Sequence, residues 1–169
     1  MATSPTVTRS LRDGAIVIKD GTGTPKTVTV QCDEGNLTWT ESQNAVEKMC
    51  RGVATGFTKG PDIFCTGSFT AQWTQLIAAS GATNELYQIL TDRAGDVFTS
   101  TTSTGLHTVD IEFTVVDPSD PDNANGTGEL IVFADAVCDV TMSEGEQNTI
   151  QVSFKIPATQ PTITRIAAA

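Results

Sequence analysis

From Glu129 to Met142 neither Gly nor Pro interrupts the chain. A single strand over that stretch would be well past the five or six residues of an ordinary strand. At about 3.4 Å per residue it would extend on the order of 45 Å, wider than one small domain needs. A polar, acidic turn follows, and Thr149 to Ile156 then alternates apolar and polar residues. Period-two counting expects Leu130, Val132, Ala134, Ala136, Cys138, Val140 and Met142 on a buried face of the first strand. It leaves Ile131, Phe133, Asp135, Val137, Asp139 and Thr141 opposite, a face that is half apolar and half acidic. The returning strand points Ile150, Val152, Phe154 and Ile156 inward. Two explanations stay open: one bent strand shared by two sheets, with or without a bulge, or a strand that runs past its own domain to build a wall with neighbours.

The rest of the chain expects an all-β fold with one short helix, a β-sandwich or partly closed barrel. Its 169 residues suit one domain, Thr recurs throughout, Gly numbers 14 and only 18% of residues are charged. Residues 1–12 read as a polar arm, 13–157 as the β domain and 158–169 as an extended or loose tail. Ala15 to Lys19, Lys26 to Cys32 and Leu37 to Thr40 look like a three-strand meander between turn dipeptides. Residues 42–62, with Gly52, Gly56 and Gly60 before Pro61, read as a long loop. Ile63 to Trp73 and Val97 to Thr99 are expected strands. Val109 to Val116 is another, with Val109, Ile111, Phe113 and Val115 on one face. Ala82 to Ala94 is the expected helix, capped by Asn84 and carrying a Leu86, Ile89, Leu90 stripe.

Charge and motifs narrow the function. Twenty acids against ten bases give a net charge of −10, and there is no basic stripe for gripping phosphates. The first fourteen residues lack an apolar core of the export-signal type, and no run of eighteen apolar residues offers a membrane span. Cys32, Cys50, Cys65 and Cys138 are far apart, so reduced thiols are expected and no zinc pair is formed. Pro25 precedes Lys26 where a phosphate loop needs Gly. The acidic loop from Asp117 to Asn125 fails the calcium-loop spacing. The single His107 stands without a nucleophile elbow, and few aromatics line up to stack on sugars. The expectation is a protein that is not an enzyme and holds no cofactor or metal; a small β-sandwich ligand binder would need a pocket of convergent polar groups.

Three stretches carry a resemblance. Ser10 to Glu41 holds the first strands and a Gly-Asn-Leu-Thr-Trp turn; Cys65 to Leu90 holds a Gly-Ser-Phe-Thr strand and the helix; His107 to Ile156 holds the long hairpin. In this order of elements the chain resembles the major tail tube proteins of long-tailed bacteriophages, a fold similar to type VI secretion tube proteins and baseplate hub domains. The resemblance implies hexameric rings stacked into a tube, a shared β-barrel lining, and passage of genomic DNA without specific binding. It implies as partners further copies of the chain, a tail tip or baseplate initiator, a tape measure protein and a tail terminator, with residence in the virion tail and assembly in the host cytoplasm. An acidic lining would keep DNA moving. Asp110, Glu112, Asp135 and Asp139 are its candidates, with Glu144 and Glu146 at the hairpin tip. The arm and the 42–62 loop would then meet adjacent rings, with Arg9, Arg12, Lys48, Arg51 and Lys59 as candidate contacts. A type VI-like tube protein or another phage structural β-domain is the alternative.

Overall fold

The structure is a computed structural model that describes residues 14–30, 36–72, 76, 85–91, 98–103, 105–115, 124, 126, 128–144 and 148–168. In chain order the strands are β1 (Ala15–Lys19), β2 (Thr27–Val30), β3 (Thr38–Thr40), β4 (Ala45–Cys50), β5 (Val53–Lys59) and β6 (Thr66–Gln72). Helix α1 (Leu86–Thr91) follows, then β7 (Val109–Val115), β8 (Glu129–Ser143), β9 (Thr149–Lys155) and β10 (Thr162–Arg165). The fold is all-β with one short helix. Its antiparallel main sheet runs β2-β1-β7-β8-β9-β6-β3, with β10 added on β8, while β4 and β5 form a separate two-stranded sheet.

β7 shows how the sequence writes the sheet. Val109, Ile111, Phe113 and Val115 are all buried, and the polar residues between them are half-buried on the other face. Leu86, Ile89 and Leu90 of α1 are buried, and the helix packs against β8 and β2. Phe133 lies at the centre of the core. Its ring meets Trp39 edge-on at 5.8 Å and Phe154 at 4.9 Å, geometries that aromatic pairs favour. Phe154 can lie over β6 because its cross-strand partner is Gly67: a Cβ there would come within 2.3 Å of the Phe154 ring.

β8 is one strand of 15 residues, but its two halves belong to different parts of the sheet. Glu129 to Ala136 pairs with β7, and Val137 to Ser143 pairs with β9. The changeover is a β-bulge. Ile111 faces Phe133 and Val109 faces Ala136, so Ala134 and Asp135 together oppose Asp110. Asp135 takes a left-handed backbone, φ 54°, and its N–H donates to Asp110 Oδ1 at 2.9 Å. The extra residue shifts the inward phase. Ile131 and Phe133 are buried ahead of the bulge, where simple alternation expected Leu130, Val132 and Ala134. Past it Ala136, Cys138 and Val140 point inward as expected, although Met142 is exposed at the strand end. The mixed second face read from the sequence is thus two faces spliced at one residue.

Other expectations are also corrected. β3 pairs with β6 at the opposite end of the sheet from β2, so the first three strands are no meander. The 42–62 loop is largely the β4–β5 hairpin. Phe98, Thr99 and Ser100 belong to no strand, and Val97 lies outside the described residues. Ile63 and Phe64 precede rather than begin β6, and Trp73 lies outside the described residues. The flanks of the expected helix, 82–84 and 92–94, lie outside them too. Beyond Pro157 the tail supplies β10, whose four residues are exposed and pair with Glu129 to Val132.

Candidate functional site

The face of the sheet opposite the core carries most of the sequence-predicted acids. On its β1–β7 side, Glu112 Oε1 lies 2.7 Å from Lys19 Nζ, and Asp110 is held by the bulge amide. On its β8–β9–β6–β3 side, Val137, Asp139 and Thr141 stand beside Lys155, Ser153 and Gln151. The strands continue there into Thr66, Ser68, Thr38 and Thr40. Asp139 is exposed and Asp135 half-buried. Glu144 is exposed just past the end of β8, while Glu146 lies outside the described residues. A bulged strand bends, so the face changes direction at Asp135.

β8 has an unpaired edge. Before the bulge it has β7 on one side and β10 on the other. After it, Val137 to Ser143 pairs only with β9, and no strand pairs with the other edge among the described residues. Such an edge presents a row of free backbone donors and acceptors that templates pairing with another strand. A groove of about 830 Å³ crosses β8, β9, β6 and β3 and meets β8 at Asp135, Val137 and Asp139. Its walls include Phe64, Leu106, Val137, Asp135, Asp139 and Lys155. Phe64 and Leu106 are 47% and 59% exposed, and Lys155 Nζ sits 5.2 Å from the centre of the Phe64 ring.

The 101–108 side of the groove is held from below. Thr108 is buried and its hydroxyl meets those of Ser100 and Thr101 at 2.8 Å each. His107 Nε2 lies 2.7 Å from the Ile89 carbonyl oxygen, tying this segment to α1. Further along, buried Asp20 accepts from the Thr22 hydroxyl at 2.6 Å and from the amides of Lys26 and Thr99 at 2.7 and 3.2 Å. Burial works against its charge, yet these donors outweigh it and hold the carboxyl below the usual carboxylate range. Burial, helped by the charge of Asp139, pushes the Cys138 thiol up to about 12, so it carries no reactive thiolate at neutral pH.

The second feature is the β4–β5 hairpin. Every residue of both strands is exposed. Phe57 is 73% exposed, Val53 66%, Met49 56% and Val46 46%. Arg51 and Gly52 turn the chain with φ of 50° and 80°, the paired left-handed backbone of a two-residue hairpin turn. At its base Gly60 N–H donates to the Asn44 carbonyl at 2.8 Å, and the Asn44 side-chain amide donates to the Pro61 carbonyl at 2.6 Å. Lys48, Arg51 and Lys59, expected on a loop, sit on this hairpin, where Lys59 pairs with Asp62 at 2.7 Å. Arg9 and Arg12 lie outside the described residues. Sequence reasoning missed Phe57, Met49, Phe64 and Leu106 as surface groups. The signal available was Arg51-Gly52 between two β-branched or apolar runs, which reads as a hairpin turn.

Among the described residues no cluster of His, Cys, Asp and Glu could hold a metal ion, and no helix is long and apolar enough to cross a membrane. No family model and no curated protein matches the sequence. A solved structure does match the fold. The cryo-EM structure of the anti-feeding prophage baseplate, symmetrised six-fold, contains a chain that superposes with a TM-score of 0.52. The match covers 96% of this chain and 97% of that one at 8% sequence identity.

Proposed function

We propose that this chain is a structural subunit of a phage tail or a related injection particle, in which copies close into hexameric rings and the rings stack into a tube. The observation that carries this reading is β8: a strand of 15 residues whose far half leaves one edge unpaired among the described residues. An edge of that length is an aggregation hazard in a free-standing domain, and a closed assembly of copies removes it. The likeness in fold to a chain of a six-fold symmetrised baseplate supports the same reading.

In such a tube the β1–β7 part of the outer face, with Asp110 and Glu112, turns to the conduit, and Glu144 at the end of β8 stands at its rim. A chain at −10 then repels phosphates rather than holding them, and DNA slides through without specific binding. Asp135 and Asp139 line the groove instead, where a neighbouring subunit is their partner. The hairpin, with Lys48 and Arg51, reaches another subunit. A tail tip or baseplate initiator, a tape measure protein and a tail terminator complete the particle, and the subunit resides in the virion tail. The second reading is a baseplate or type VI-like ring component, favoured by the baseplate origin of the similar structure.

Negative-stain microscopy of the purified chain tests this. Raising ionic strength shortens the reach of repulsion between acidic copies to about 3 Å at 1 M salt. Rings or tubes are expected at high concentration and high salt. A monodisperse monomer under every condition, and in the presence of a tail initiator, would overturn the reading.

A further inference from the structure

We propose that Asp110 is a positioning residue for assembly: by holding the Asp135 amide it fixes the bulge in β8, and the bulge sets the angle at which the unpaired half of that strand is offered to a neighbouring copy. This rests on the subunit reading for the neighbour; the residue that sets the angle is a separate claim.

Three observations carry it. First, the bulge stands where the edge changes. Up to Ala136 β8 is paired with β7, and from Val137 it is paired only with β9 among the described residues. A bend at the bulge therefore redirects the unpaired edge relative to the β1–β7 sheet. Second, the apolar pattern demands a bulge without building one. Ile131 and Phe133 are buried before it and Ala136 after it, so one extra residue must fit between Phe133 and Ala136. Ala134 and Asp135 both stand there opposite Asp110, and the burial of their neighbours does not choose which of them takes the left-handed backbone. Asp135 takes it, and its N–H donates to Asp110 Oδ1 at 2.9 Å. The other described non-glycine residues with positive φ, Asn44 and Arg51, lie at the base and turn of the β4–β5 hairpin, so Asp135 is alone in having such a backbone inside a strand. Third, Lys19 is the cross-strand partner of Asp110, yet its Nζ lies 2.7 Å from Glu112 Oε1. The Asp110 carboxylate is given instead to the backbone of β8.

Ring closure magnifies the angle. A turn of about 60° between neighbours closes six copies, and a change of about 10° closes five or seven instead. The twist between adjacent strands varies over a range of about 25°, so a bulge released from Asp110 has room for a change of that size. The hydrogen bond narrows the range, and one carboxylate oxygen thereby selects how the ring closes.

The test compares Asp110→Ala and Asp110→Val, which lack the acceptor, with Asp110→Asn, which keeps an acceptor oxygen but not the charge. Val is β-branched and suits a strand, which guards against a failure of the Ala chain to fold. Particles assembled from each full chain are sorted by symmetry in negative-stain averages, and φ at Asp135 is read from backbone NMR shifts of the isotope-labelled monomer. The native and Asn chains are expected to give one ring size and a positive φ at Asp135. The Ala and Val chains are expected to give mixed ring sizes or open arcs, an averaged φ, and a critical concentration for assembly raised about tenfold. Asp20→Asn, which weakens the fold away from the bulge, is expected to keep the native ring size. Uniform native rings from the Ala and Val chains, or an unchanged positive φ at Asp135 in both, would overturn the assignment and leave the subunit reading standing. Mixed rings from the Asn chain as well would overturn it by making the charge of Asp110, and not its acceptor oxygen, the cause. Mixed rings from Asp20→Asn would overturn it by making general weakening the cause. No association of the native chain would overturn the subunit reading and the assignment together.

Discussion

Asp135 decides the course of β8. A left-handed backbone costs a non-glycine residue about 1–2 kcal/mol, and Asp is among the few that tolerate it. The bond from its N–H to Asp110 Oδ1 compensates. Asp110→Ala removes the acceptor from a partly buried amide and should cost about 1–3 kcal/mol, while Asp110→Asn, which keeps an acceptor oxygen, should cost less. Asp135→Gly should be tolerated and Asp135→Val should not; denaturant midpoints for the four variants check this. Asp20 makes a second prediction, about acid. Its folded carboxyl loses its proton at a lower pH than the unfolded one. Its contribution is therefore complete above the unfolded value, about 3.9, and disappears as pH falls through the folded value. Urea midpoints between about pH 2 and 5 should fall for the native chain, and Asp20→Asn should flatten that fall. An unchanged slope would show that Asp20 does not govern it. Neither residue announces itself in the sequence. Asp13-Gly14 and Asp20-Gly21 look alike as turn dipeptides, and only the fold brings Thr99 to Asp20 across 79 positions.

The elements divide by how far each depends on partners distant in sequence. β7 and β9 were legible residue by residue, because one face is buried along their whole length and alternation records it. β8 was legible as a long strand but not in phase, since a bulge leaves no compositional mark. The neighbours of β3 were not legible, as a three-residue strand carries too little pattern to choose β6 over β2. The β4–β5 hairpin was read as a loop for a physical reason: neither face is buried within the chain, so no hydrophobic periodicity is imposed on it. That same independence makes a prediction. Val53→Ser with Phe57→Ser should leave the melting temperature of the monomer almost unchanged, as surface substitutions do. It should nonetheless abolish assembly measured by light scattering. A large drop in melting temperature would mean the hairpin supports the domain itself. Asp110, Glu112 and Asp139 were legible as outward-facing positions, but the change of phase at Asp135 was not, since it follows from the bulge.

For the whole molecule, the described residues form a sheet in which one edge of β8 has no strand partner and a ribbon whose residues are all exposed. On the proposed reading a free subunit leaves both in water, and its charge of −10 would keep copies apart until concentration, salt or an initiator brings them together. In the proposed assembly a neighbouring copy would cover that edge, making stability and polymerisation one equilibrium. The most direct measurement is a cryo-EM reconstruction of the assembled particle that resolves Val137 to Ser143. The expected result is a ring of copies in which that edge lies against a neighbouring subunit, with Asp110 and Glu112 facing the central channel. A particle in which the edge faces bulk water would contradict it.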